Sequence, residues 1–112
     1  MSKKRKKHKK SLFEPYPATE CFECGCIRNL EEHHIFYGSS DRERSEEYGL
    51  KVHLCYDHHR GNRGIHSGRN SDLDMRLKKM AQRAFEEQYG HKEFVKKFAS
   101  KNVLEEEEQI WK

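Results

Sequence analysis

Residues 21–24 read Cys21-Phe22-Glu23-Cys24, residues 31–35 read Glu31-Glu32-His33-His34-Ile35, and residues 54–59 read Leu54-Cys55-Tyr56-Asp57-His58-His59, with Ile65-His66 closing the stretch. This segment holds all four cysteines and six of the eight histidines of the chain. Cys21 and Cys24 form one pair, and Cys55 and His58 repeat its spacing, so together they supply the four ligands of a closed tetrahedral zinc site. Cys26 extends the first cluster to Cys-x-x-Cys-x-Cys and leaves a Cys24–Cys26 pairing open, although Cys21 and Cys24 match the later pair. His33, His34, His59 and His66 are more ligands than that zinc can use, and they imply a second function.

The bulk numbers agree with a stapled domain. The chain has 112 residues, 33% hydrophobic and 38% charged, which suits one domain with a thin core. Such a domain generally needs a metal or disulfides. The start of the chain is charged and no apolar run follows it, so no secretory leader is expected. Reduced thiols and a cytoplasmic location, in a bacterial or phage-infected cell, are expected instead, with Cys-x-x-Cys read as metal binding ahead of a thioredoxin-like redox pair. No apolar run approaches the ~18 residues of a membrane span.

Charge is unevenly distributed. The net charge is +4, yet residues 3–10 carry seven of the 23 Lys and Arg, and the remaining 16 face 19 acidic side chains. The body is therefore acidic, and residues 1–12 form a basic arm expected to be disordered. Lys3, Lys4, Arg5, Lys6 and Lys7 would neutralise phosphates and release their counterions, or act only as a solubilising tail.

Working outward, residues 13–20 carry two prolines that forbid a helix. Residues 31–37 read as a strand whose alternation sends His33 and Ile35 to one side and His34 and Phe36 to the other. Neighbouring histidines so divided suit one ligand and one base. Residues 38–48 read as a polar loop with at most a helical turn, in which Arg42 and Arg44 are phosphate contacts or simply solvated. Residues 49–54 alternate as a half-buried strand with Leu50, Val52 and Leu54 inward and His53 outward. A helix begins at 55. His59 lies about 100° around it from His58 and so faces a different site. Gly61, Asn62 and Gly64 would break that helix and let His66 fold back. Ser71 is the expected N-cap of the next helix, which carries Leu73, Leu77, Met80, Ala81, Ala84 and Phe85 at helical spacing and ends at Gly90. Residues 91–100 form a shorter helix packing Phe94, Val95 and Phe98, and 101–112 form an acidic tail.

Cys21-x-x-Cys24, Glu32-His33-His34-Ile35 and Leu54-Cys55-x-x-His58-His59, with Tyr48-Gly49-Leu50 and the Gly64-Ile65-His66 ending, resemble the HNH endonucleases, or ββα-metal (His-Me finger) enzymes. The likeness covers about 21–66 and is similar to small members from bacteriophages and prophages. It implies that His34 is the general base, that His33 and His59 bind a catalytic divalent ion (Mg, Mn, Ni, Co or Zn), and that His66 is a further ligand. Arg60 and Arg63 would hold phosphate oxygens. Two departures accompany it. The usual helix spacing lands on Arg63 instead of His66, and the family's middle asparagine falls at Gly49 or Leu50. Either another residue braces the loop that carries the base, or activity is incomplete.

The expected fold is therefore α+β: a zinc-stabilised ββα-metal core over 13–70, two C-terminal helices over 71–100, and tails. The expected function is metal-dependent hydrolysis of DNA phosphodiesters by a monomer or dimer, with no membrane partner. The alternative is a zinc-stabilised nucleic-acid-binding or recombination-accessory module without nuclease activity.

Overall fold

The computed structural model describes residues 9–98 and 101–104. Those residues form a small α+β domain of two antiparallel strands and four helices. In chain order these are β1 (Leu30–His34), α1 (Ser39–Tyr48), β2 (Lys51–Cys55), α2 (Tyr56–His59), α3 (Ser71–Tyr89) and α4 (His91–Lys97). The strands pair with Leu30 opposite Cys55, His33 opposite Val52 and His34 opposite Lys51. No helix among the described residues is long and apolar enough to cross a membrane.

Strand β2 runs over 51–55 rather than 49–54: Val52 and Leu54, with Leu50 just before the strand, are fully buried as expected and His53 is half-exposed, but Lys51 is buried as well. His33 shares the buried face with Val52, whereas His34 shares the other face with Lys51. β1 is shorter than expected and ends at His34 rather than Tyr37. Ile35 and Phe36 lie beyond it and are buried in the core.

The connection between the strands is not the expected loop. Residues 39–48 form a ten-residue helix with no apolar stripe, whose buried side chain is Ser45. A Schellman turn closes it: Leu50 N–H donates to Ser45 O at 2.8 Å and Gly49 N–H to Glu46 O at 3.4 Å. Gly49 sits there at φ 73°, and a Cβ on it would lie 2.6 Å from the Lys10 carbonyl. The end of the basic run is docked in the same place. Leu12 N–H donates to Gly49 O at 3.0 Å, and the Ser11 hydroxyl donates to Lys51 O at 2.5 Å.

The expected helix from residue 55 lasts four residues, and tight turns follow it. Helix α3 ends at Gly90 as the glycine suggests, but its N-cap is Asn70 rather than Ser71: the Asn70 side-chain oxygen accepts from Leu73 N–H at 3.0 Å. α3 buries Leu73, Leu77, Ala81 and Phe85. Phe85 joins Phe36, Phe94 and Phe98 in an aromatic cluster with centroid separations of 4.9–5.7 Å. Val95 does not share in it; it lies on the outer side of α4, 42% exposed. Lys3 to Lys7 and the acidic run from Glu105 lie outside the described residues.

Candidate metal centres and catalytic cleft

Cys21, Cys24, Cys55 and His58 bring one ligand atom each to within 4.8 Å of one another. The first pair sits on a knuckle. Gly25 N–H donates to Cys21 O at 2.9 Å with Gly25 at φ 79°, and Cys21 N–H donates to Cys26 O at 2.8 Å. Phe22 N–H donates to His53 O at 2.8 Å, which fastens the knuckle to β2. Cys55 ends β2 and caps α2, so His58 comes round one turn later with Nδ1 3.4 Å from Cys55 Sγ. Cys24 Sγ is 3.8 Å from Cys55 Sγ. Cys26 is exposed and stands outside this group.

Charge in this cluster is poised for a cation. Burial pushes the Cys21 thiol up, but hydrogen bonds from the backbone of Cys55, Cys24 and Glu23 outweigh it, and the thiol ends below its ordinary range. Burial, reinforced by the neighbouring Cys24 and Cys21 sulfurs, pushes the Cys55 thiol up to about 11. Sulfurs this crowded all ionise only with a positive charge among them. The donor set fits zinc, and the cluster could hold one zinc ion.

A second group consists of imidazoles. His33, His59 and His66 also bring ligand atoms within 4.8 Å of one another, with ring centroids 4.8–5.2 Å apart. His66 arrives because the chain turns back after α2: Ile65 N–H donates to His58 O at 3.1 Å and His66 N–H to His59 O at 3.0 Å. The turn needs glycine at 64. A Cβ there would lie 2.8–2.9 Å from backbone atoms of Arg60, Gly61 and His59.

His33 is the telling member. It is 1% exposed, and neither ring nitrogen has a hydrogen-bond partner among the described residues. Burial, with His59 and His66 adding to it, pushes its pKa down to about 3, so the ring is neutral with a lone pair available. Buried polar atoms are ordinarily satisfied, and a pair of orphans in contact with two more imidazoles fits a metal ligand.

Glu31 supports this group, and the sequence reading passed over it. Its carboxylate accepts from His59 Nδ1 at 2.7 Å and from Arg60 Nε and Nη2 at 3.0 and 2.6 Å. Arg60 first and His59 second hold its pKa at about 2. With Nδ1 engaged, Nε2 is the nitrogen that His59 could offer an ion, as in a carboxylate–histidine–metal arrangement. Strand alternation already placed Glu31 on the face of His33, which was the available signal. Glu31→Gln is expected to weaken ion binding at the three histidines by about 10- to 100-fold. Titrating the zinc-loaded protein with Co2+ measures this, and an unchanged affinity would remove Glu31 from the site.

His34 turns to the other face of β1. Its Nε2 lies 2.7 Å from Glu46 Oε1; Lys51 Nζ lies 2.9 Å from Glu46 Oε2 and 3.1 Å from Glu32 Oε2. Because β1 ends at His34, both faces open into one cleft of about 280 Å³, lined by Glu32, His34, Tyr37, Arg42, His59 and His66. Tyr37 donates to Asp74 Oδ1 at 3.2 Å; burial and Asp74 push it up to about 12, so it stays protonated.

Arg60 and Arg63 are held within the domain, by Glu31 and by Asp57 respectively, the latter through Nε at 2.7 Å from Oδ2. Arg44 donates to Lys97 O at 2.6 Å, and Arg42 is the arginine that lines the cleft. His53 is engaged by Glu14, which accepts from its Nδ1 at 2.6 Å, and is apart from both histidine groups. No protein-family model, curated protein or solved structure matches this chain.

Proposed function

We propose that the protein is a metal-dependent DNA endonuclease of the HNH type, with β1, β2 and α2 forming a ββα-metal unit. The observation that carries the reading is His33, buried with both nitrogens orphaned against His59 and His66, which line the same cleft as His34. A purely nucleic-acid-binding module has no use for such an arrangement.

The residues have distinct tasks. His33, His59 and His66 would hold a divalent ion, and three protein ligands leave coordination positions for substrate and water. When bound, the ion supplies positive charge against the phosphate and the leaving 3′ oxygen. His34 takes a proton from water as the water oxygen attacks phosphorus; the 3′ oxygen departs and is protonated by solvent. Arg42 is placed to meet a phosphate oxygen. Ser45 fills the bracing role that the family gives to its asparagine. Its hydroxyl accepts from Phe36 N–H at 3.0 Å and donates to Phe36 O at 2.8 Å, pinning the chain two residues beyond His34. An all-imidazole set favours Mn, Co, Ni or Zn over Mg, which prefers oxygen ligands.

Plasmid cleavage by wild type and His34→Ala, in EDTA and with each added cation, tests the reading. Cutting by the wild type with Mn, Co, Ni or Zn is expected, with a loss of about 10²–10⁴-fold in the variant. Absence of cutting on supercoiled, linear and single-stranded DNA, with salt-sensitive binding retained, would instead identify a zinc-stabilised binding module.

A further inference from the structure

We propose that Glu46 is a positioning residue that locks His34 in the Nε2–H tautomer, so that Nδ1 is the atom that accepts the proton from water. The proposal rests on the nuclease reading for its chemical consequence, but the tautomer itself does not. His34 is 8% exposed, and its Nε2 lies 2.7 Å from Glu46 Oε1. An ionised carboxylate only accepts, so the hydrogen of that bond belongs to Nε2. Lys51 makes the carboxylate the ionised partner: its ammonium lies 2.9 Å from Glu46 Oε2 and is itself largely buried. Lys51 also reaches Glu32 Oε2 at 3.1 Å, while Glu32 Oε1 stands 4.0 Å from His34 Nε2. Glu32 is 41% exposed and Glu46 17%, so the closer and better-buried carboxylate sets the ring. With the hydrogen on Nε2 and given to Glu46, Nδ1 is the ring nitrogen that keeps its lone pair.

The arrangement has the logic of a carboxylate–imidazole dyad. The carboxylate selects the tautomer and stabilises the imidazolium that forms when the base takes a proton. Here water gives H+ to Nδ1, its oxygen forms the new bond to phosphorus, and the bond to the 3′ oxygen breaks. The carboxylate stays ionised throughout. Glu46 is carried by α1, whose Ser45 pins the Phe36 backbone, so adjacent residues fix the ring of His34 and the chain that follows it.

The test uses the full zinc-loaded chain. Imidazole 15N–1H correlation spectra at pH 8, with the His34 signals identified by their loss in His34→Ala, report which nitrogen carries the hydrogen. The wild type is expected to show Nε2–H and bare Nδ1. In Glu46→Gln the side-chain amide donates or accepts with equal ease, and a mixed or reversed tautomer is expected. A wild-type Nδ1–H tautomer, or a tautomer unmoved in Glu46→Gln, overturns the proposal. Cleavage gives the second arm: kcat for Glu46→Gln falls at least about tenfold at unchanged KM, with no further fall in a His34→Ala background. An equal fall in both backgrounds overturns the positioning role. A wild type with the expected tautomer that cuts no DNA under any cation overturns the nuclease reading and leaves the dyad standing.

Discussion

Cys55→Ser is expected to release zinc and unfold the domain. A serine hydroxyl does not ionise near neutral pH and is a poor fourth ligand where a thiolate stood. Zinc bound by such a set is linked to about 10–16 kcal/mol of folding free energy, comparable with the whole stability of a small domain at about 5–15 kcal/mol. The position compounds the loss. Cys55 is buried, pairs with Leu30 across the sheet, and caps the helix that carries His58 and His59. Losing this corner frees the Cys21–Cys24 knuckle and both ends of the histidine turn together. Zinc content by elemental analysis, read beside the thermal unfolding transition, checks the expectation. Cys26→Ser is the matched control: its sulfur is exposed and outside the ligand group, so zinc content and transition should not move. A Cys55→Ser protein that stays folded with its zinc would refute the ligand set.

The parts of this molecule that were legible in the sequence are those written in apolar periodicity or ligand spacing. The stretch that runs into β2 announced itself through Leu50, Val52 and Leu54, and α3 through Leu73, Leu77, Ala81 and Phe85, because burial selects those positions directly. The Cys and His spacing named the four residues that converge, since a tetrahedral ion imposes local geometry on short loops. The glycines between His59 and His66 forecast the turn that returns His66 to His33 and His59. Helix α1 left no such trace. Ser39–Tyr48 holds its place through the Ser45 hydroxyl, a glycine-closed C-terminus and the tyrosine ring at its end, none of which depends on a hydrophobic stripe. With α1 unread, the partnership of Glu46 with His34 could not be read either, because it spans twelve residues of sequence and depends on the helix. The cap of α3 fell one residue from its expected place for a simpler reason: Asn70 and Ser71 both have capping chemistry, and only tertiary placement decides between them.

His33→Leu is expected to move stability and function in opposite directions. In the protein without an ion at the histidine group, His33 is an uncharged ring with two unpartnered nitrogens in a site 1% exposed. Leaving such atoms unsatisfied costs about 1–3 kcal/mol, and a leucine of similar size removes that penalty. The variant should therefore unfold at a higher temperature than the ion-free wild type, with its cysteine centre still zinc-loaded. On the proposed nuclease reading it should also lose ion binding at His59 and His66, and with it metal-dependent cutting. Acid separates the two proteins further. The folded pKa of His33 is pushed down to about 3 from an ordinary 6.5, so above pH 6.5 neither folded nor unfolded chain carries the proton. As pH falls below 6.5 the unfolded chain binds a proton that the folded chain refuses, and wild-type stability drops by about 1.4 kcal/mol per unit until the folded pKa is reached. His33→Leu lacks that titration, so its advantage over the wild type should widen between pH 6.5 and 5. Denaturant unfolding of both proteins at pH 7.5, 6 and 5 measures the difference. A constant gap would mean that His33 is protonated or hydrogen-bonded in the folded chain. A variant less stable than the wild type at every pH would mean that the ring is held by packing alone. Either result would remove the reason to regard this buried imidazole as kept for an ion.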